Sequence, residues 1–521
     1  MGKKNLITKV MMACLILSLL LTGCGGGSPA NDSESEEAVV VRLEGGDYGY
    51  PQPYTTYSRG PGAYKVNLVF DKLFEKGATD FEPWLVKELE ELDGGLRYII
   101  HLRENVRWHD GEPFTAEDVY FTFTYANQNP PVRVSPLYLD QYVIDHLQIL
   151  DTHTLEMKLE KPSVNLIENL AGVTVIPKHI WENIEDPANF LAPEAVIGTG
   201  PFQLTGYNKE QGTYQFNANP EYWQTEVAVD TLEFVPVSDE VLSLETGAIH
   251  LSNIPVDVLS RFENKSEFST LDNPGFWGYR LRLNLANKTE LQNVALRQAL
   301  AYAIDRQELV DKIARGAGVP ASMGTLPPDH RWYNPNVPAY QKDTQKAREL
   351  LEQAGIDPES LEFELLLGEN LEVRIGEIIR ENLDDIGITL NLRSVDGKSR
   401  DARLSEGNYE LALVGHGGWG NDPDYLRGRF LPVKEDWVRG VPGYENPELT
   451  ALLNEQATTL DAAKRKQMIM DAQLMIAADV PEIPLYFNTG KAVFNSQVYD
   501  GWMHIFDHHN STHNKLSYLQ R

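Results

Sequence analysis

Residues 361–395 read LEFELLLGENLEVRIGEIIRENLDDIGITLNLRSV, and this stretch decides the fold class. LEFELLL (361–367) is an apolar run of strand length, EVRIGEIIRENLDDIG (372–387) repeats apolar residues at helical spacing, and ITLNLRSV (388–395) alternates as a strand does. Strand, crossover helix and strand make a β-α-β unit with a parallel pair. YELALVG (409–415) adds a further strand and runs into the loop HGGWGNDPDYL (416–426). Ligands of open α/β sheets bind beyond the carboxyl ends of the strands, which makes this loop the best-placed functional candidate. Its candidate ligand contacts are His416, Trp419, Asp422 and Tyr425.

Upstream, RLRLNL (280–285) reads as a strand and residues 293–318 as one helix with Leu296, Ala299, Leu300 and Ala303 inward, ended by Gly316 or Gly318. TQKARELLEQAG (344–355) is another amphipathic helix, closed by Gly355. The pattern differs before Tyr279. LRYIIHL (96–102) reads as a strand, Asp110-Gly111 as a turn, and Thr115 with Asp118 as a capping box. Ala116, Val119, Tyr120 and Phe123 then mark one buried helical face, and residues 202–223 two strands joined by a Gly-containing turn.

The chain begins with Lys3, Lys4 and Lys9, followed by residues 11–21, apolar except for Ser18. That pattern is an export signal, too short for an ordinary membrane span. Leu21-Thr22-Gly23-Cys24 resembles the lipobox of bacterial lipoproteins, which implies removal of residues 1–23 and a lipid on Cys24. Cys14 lies in the removed segment, so the mature chain forms no internal disulfide. Residues 24–37 are too polar to bury surface and are expected to form a disordered tether, the fold starting near Ala38. The expected location is outside the cytoplasmic membrane, at the cell surface or in the periplasm, with lipid as the sole membrane contact.

The 521 residues are 42% hydrophobic and 10% aromatic, enough for a large core and more than one lobe. A formal charge of −30 repels nucleic acid and anionic lipid, although it equally suits solubility in a salty or alkaline habitat. G-x-S-x-G, H-E-x-x-H and G-x-x-x-x-G-K-[ST] are absent. Carboxylates are plentiful, so an exported hydrolase with an acid pair stays as an alternative of another class. His504, His508, His509 and His513 are a candidate metal cluster set against surface histidines near a terminus, and His416 is better placed but alone.

Residues 83–123 (PWLVKELEELDGGLRYIIHLRENVRWHDGEPFTAEDVYFTF), GTGPFQLTGYN (198–208) with NPEYW (219–223), VALRQALAYAIDRQELV (294–310), LLEQAGI (350–356) and the glycine-rich loop with Asp422-Pro423 occur in this order. Together they are similar to family 5 of the bacterial extracellular solute-binding proteins, which serve ABC importers of peptides, nickel chelates and related solutes. The resemblance implies a type II periplasmic-binding-protein-like α/β fold, two lobes with a cleft and an additional domain. It divides the chain into lobe I (38–60, 195–275 and 488–521), the additional domain (61–194) and lobe II (276–487), with crossings near 273–283 and 484–488. It implies a monomer without enzyme activity or cofactor that delivers a peptide, or a nickel or other metal chelate, to permease subunits.

Peptide-binding members often hold the ligand's ammonium with an acid three places before the Asp-Pro or Glu-Pro of this loop; here that position is Trp419. Tryptophan offers a cation-π face without a full countercharge. Tyr50, Tyr54, Tyr57 and Arg59 precede a Gly-Pro-Gly turn in the region that borders the cleft in relatives. Arg59 and Arg133 suit carboxylate binding, with surface ion pairs as the competing role, and Trp277 suits a cleft wall or the core.

Overall fold

In the computed structural model the described residues are 38–55, 61–129, 144–275, 277–417, 422–432, 440–506 and 512–519. The β-α-β reading becomes strands Glu362–Leu367 and Thr389–Ser394, paired in parallel, with helix Leu371–Asp384 between them. They form one side of a six-stranded sheet ordered Gly318–Pro320, Glu482–Asn488, Trp277–Leu283, Leu411–His416, Glu362–Leu367, Thr389–Ser394. Its core takes Leu281, Leu283, Phe363 and Leu365 from the sheet and Ile375, Ile379 and Leu383 from the crossover helix.

Residues 293–318 were expected as one helix and form two, Val294–Ala303 and Arg306–Lys312. Asp305 is the cause: its side chain accepts from the Glu308 amide at 2.9 Å and starts a new helix in mid-run. Leu296, Ala299, Leu300 and Ala303 are all buried, as the spacing requires. The Thr115–Asp118 capping box forms at the head of helix Ala116–Gln128, where Ala116, Val119 and Phe123 are buried. Tyr120 departs from the expected face and is 39% exposed, because Thr122 and Tyr125 take the buried side.

A second core surrounds the four-stranded sheet Val40–Glu44, Thr231–Val235, Thr213–Ala218, Phe202–Asn208. It also takes in Val66, Leu68, Val69, Phe70 and Trp181, residues that the sequence reading assigned to the additional domain. Helix Pro61–Val69 supplies Val66, Leu68 and Val69 to this core, and helix Lys178–Trp181 supplies Trp181. A third core belongs to the sheet Val86–Leu92, Arg97–Leu102, Thr154–Leu159, Ile144–Asp151.

Residues 512–519 pack into the protein interior. Lys515 is 4% exposed, and its Nζ reaches Asp71 Oδ1 and Glu75 Oε1, each at 2.6 Å. Trp84 and Trp223 donate to the same Asp71 carboxylate at 3.0 and 2.9 Å. The contacts of the chain divide between Ala38 and Val39, the latter beginning one compact unit that runs to Arg521. Among the described residues no helix is long and apolar enough to cross a membrane.

Candidate functional site

Two crossovers define the site. The chain leaves the three-stranded sheet (Leu251–Ile254, Lys491–Asn495, Phe268–Asp272) after Asp272 and enters the six-stranded sheet at Trp277. It returns between Asn488 and Lys491. The two passages lie side by side, with the Asn273 amide donating to the Gly490 carbonyl at 2.8 Å. Strand Leu411–His416 runs antiparallel to Trp277–Leu283 and parallel to Glu362–Leu367, which in turn is parallel to Thr389–Ser394. The carboxyl ends of those three strands therefore open at the crossover edge.

Aromatic rings line part of this edge. Trp277 meets Tyr279 edge-on at 5.0 Å, and its ring lies so close over Gly415 that a Cβ there would sit 2.6 Å from the indole. Burial, and then Glu372, push the Tyr279 hydroxyl up to about 12, with Arg400 opposing.

Beyond the strand Glu362–Leu367, Glu372 Oε2 accepts from the Gly368 amide at 2.6 Å and Oε1 accepts from Arg400 Nη1. Arg400 stands on helix Gly397–Ser405, whose start is fixed by Asp396 accepting from the Lys398 and Ser399 amides, each at 3.0 Å. Ser394 Oγ donates to the Gly368 carbonyl at 3.0 Å, joining the two strand ends. The sequence reading missed Glu372 and Arg400. The available signal was a capped helix directly after a strand end, with an arginine in its first turn.

The loop residues have varied surroundings. Both Asp422 oxygens are held by Arg465, at 2.5 and 2.6 Å, and Oδ1 also accepts from the Asp424 amide at 2.8 Å. Burial raises the Asp422 carboxyl, with Arg465 working against it. The carboxylate expected among the ligand contacts is thus engaged inside the protein, by Arg465 and by the Asp424 amide. Asp424 accepts from Asn165 Nδ2 at 2.9 Å, Gln456 Nε2 at 2.6 Å and Arg427. Tyr425 Oη accepts from Arg280 Nη1 at 3.2 Å.

His416 ends its strand opposite Gly278, but its side chain lies outside the described residues, as do Trp419, Tyr57, Arg59 and Arg133. Tyr54 belongs to the core, 4% exposed against Tyr125 and Trp181. Tyr50 is half-buried and meets Tyr207 edge-on at 5.8 Å. Of the terminal histidines, His508 and His509 fall outside the described residues. Burial lowers His504 and lowers His513 to about 4, and no group of three or more metal-binding side chains occurs among the described residues.

Comparison with known proteins extends this picture. Residues 80–436 match the family model "Bacterial extracellular solute-binding proteins, family 5 Middle". Heme-binding protein A of Haemophilus influenzae is 27% identical, the alignment covering 94% of this chain and 96% of that protein. The dipeptide-binding protein of Escherichia coli is 26% identical over 88% and 90%. Among solved structures, NikA from Brucella suis in complex with Fe(III)-EDTA superposes with TM-score 0.79 at 21% identity, covering 92% of this chain and 99% of that one. DppA from Helicobacter pylori in complex with the peptide STSA gives 0.76 at 22%, covering 93% and 98%. These likenesses show the fold, the type II periplasmic-binding-protein-like architecture.

Proposed function

The chain belongs to the bacterial extracellular solute-binding proteins, family 5, and we propose that it is the extracytoplasmic receptor lipoprotein of an ABC importer. It captures a peptide or related small solute between lobe I and lobe II and delivers it to the membrane permease without chemical change. The observation that carries this reading is the pair of adjacent crossovers at the edge where three parallel strands end. Two covalent passages beside an open strand edge suit a hinge with a ligand against it. A metal-chelate ligand is the second reading, favoured by Trp419 standing where peptide-binding members often carry an acid and by the likeness to NikA.

Mass spectrometry of solute released from natively purified protein tests the function and names the ligand. Recovery of a defined solute, intact after prolonged incubation, is expected; steady consumption of the solute would favour the hydrolase alternative. Anchoring is tested separately. Cys24→Ser is expected to move the protein from the membrane fraction to the soluble one, and an unchanged membrane fraction would refute lipid attachment at Cys24.

A further inference from the structure

We propose that Asn165 and Asp424 form a latch that docks the segment after strand Thr154–Leu159 onto the root of the strand-end loop. Glu168, on the docked helix, sets how firmly the latch holds as the pH changes. The latch goes beyond the receptor reading and stands whatever the solute is; under that reading it steadies the loop that follows strand Leu411–His416.

Asn165 occupies the N-cap position of helix Leu166–Ala171, where an asparagine oxygen ordinarily accepts from an amide of the first turn. Here the side chain makes no such cap bond. Its Oδ1 accepts from Ser163 Oγ at 2.9 Å, and its Nδ2 donates to Asp424 Oδ2 at 2.9 Å. The chain of bonds continues inward. Gln456 Nε2 donates to Asp424 Oδ1 at 2.6 Å, Arg465 Nε donates to Gln456 Oε1 at 3.1 Å, and Arg465 also holds Asp422. Arg427 holds Asp424 from the same loop, and the Val164 amide donates to the Ala457 carbonyl at 3.2 Å. Ser163, Asn165, Asp422, Asp424, Gln456 and Arg465 are all buried. Leu166 and Leu170 belong to one apolar core, Leu426 and Leu453 to another. A polar chain between two separate cores can part without opening either of them.

Glu168 is the one ionisable residue of helix Leu166–Ala171 and is partly buried. Asp422 and Asp424 act on it from the strand-end loop, Arg465 from helix Ala462–Asp479 and Lys76 from strand Phe74–Lys76. Strand Phe81–Pro83 also packs on the helix, and its Glu82 carboxylate lies over Gly77. Burial, then Asp422, raise Glu168 to about 8, with Lys76 and Arg465 opposing and Asp424 reinforcing. Undocked, the carboxyl returns towards its ordinary value of about 4.3. The docked state therefore holds the proton more tightly. Docking is strongest below about pH 4.3, weakens as the pH rises, and levels off above about 8.

Hydrogen exchange of the purified full chain tests this, read by mass spectrometry at about pH 6 and about pH 8.5 and corrected for the intrinsic rate. Peptides covering 162–171 and 422–430 are expected to exchange together about threefold to tenfold faster at the higher pH, with strand Glu362–Leu367 unchanged. Glu168→Gln keeps the neutral form, so it should stay slow at both pH values. Asn165→Asp sets a carboxylate against Asp424 and should speed both segments at both values. Aspartate caps a helix as well as asparagine does, so faster exchange in that variant reads lost docking and not a weakened helix. A wild type without the pH response, or a response that survives Glu168→Gln, overturns the proposal. So does an Asn165→Asp variant in which 162–171 speeds up while 422–430 is unchanged. If Asn165→Asp fails to fold by circular dichroism, the wild type and Glu168→Gln decide.

Discussion

Lys65 shows what one residue does to the stability of this protein. Its side chain is buried, 1% exposed, with Nζ 4.0 Å from the Phe234 ring centroid and 4.9 Å from those of Tyr48 and Tyr214. Burial lowers its pKa to about 7, with Glu44 pulling the other way. In the unfolded chain the amine keeps its proton up to about pH 10.4. The unfolded state therefore binds more protons between about pH 7 and 10.4, and stability rises with pH across that window. The contribution is full above about pH 10.4 and is lost as the pH falls through about 7. From pH 7 to 9 the gain is about 2 kcal/mol. Lys65→Met is expected to flatten this rise relative to wild type in urea unfolding at the two pH values. An unchanged difference between them would show that Lys65 does not titrate in the window. Two of the three rings around it, Tyr214 and Phe234, come from residues far along the chain, so its burial was not legible in the sequence.

Among the elements, the two helices Val294–Ala303 and Arg306–Lys312 carry the clearest lesson. Apolar periodicity ran through 293–318 without a break, and only the capping potential of Asp305 argued against one long helix. Asp305→Ala removes the acceptor of the Glu308 amide and should cost about 1 kcal/mol in chemical denaturation, while Asp305→Asn should cost little. Equal loss from both would point to something other than the cap. The β-α-β unit at 362–394 was readable because periods of two and of 3.6 alternate there. Tyr120 was misread because the spacing marks a stripe without marking its centre, and tertiary neighbours put Thr122 and Tyr125 on the buried side instead.

For the whole molecule, the proposed receptor role predicts that two lobes turn against each other about the passages after Asp272 and between Asn488 and Lys491. We expect ligand to favour the closed arrangement, because contacts to both lobes exist only then. Small-angle scattering with the solute identified by mass spectrometry should show a smaller radius of gyration. At a hundredfold excess over Kd the accompanying stabilisation is about 2.7 kcal/mol. Stabilisation without any change in radius would refute closure. Asn165 bonding Asp424, with the Val164 amide bonding the Ala457 carbonyl at 3.2 Å, joins the segment after strand Thr154–Leu159 to residues more than 250 positions further along the chain. Local pattern by itself determined the strands, the capped helices and the α/β class, because hydrogen bonding and side-chain period are set by near neighbours. The ordered motifs carried the family likeness. Only the tertiary structure decided that helix Pro61–Val69 joins the core of the four-stranded sheet that begins with Val40–Glu44, that Lys515 seals Asp71, that Asp422 is held by Arg465, and that Arg400 meets Glu372 at the strand ends. Each of those depends on which distant segments share a buried space, and charge pairing across such distances leaves no period in the sequence.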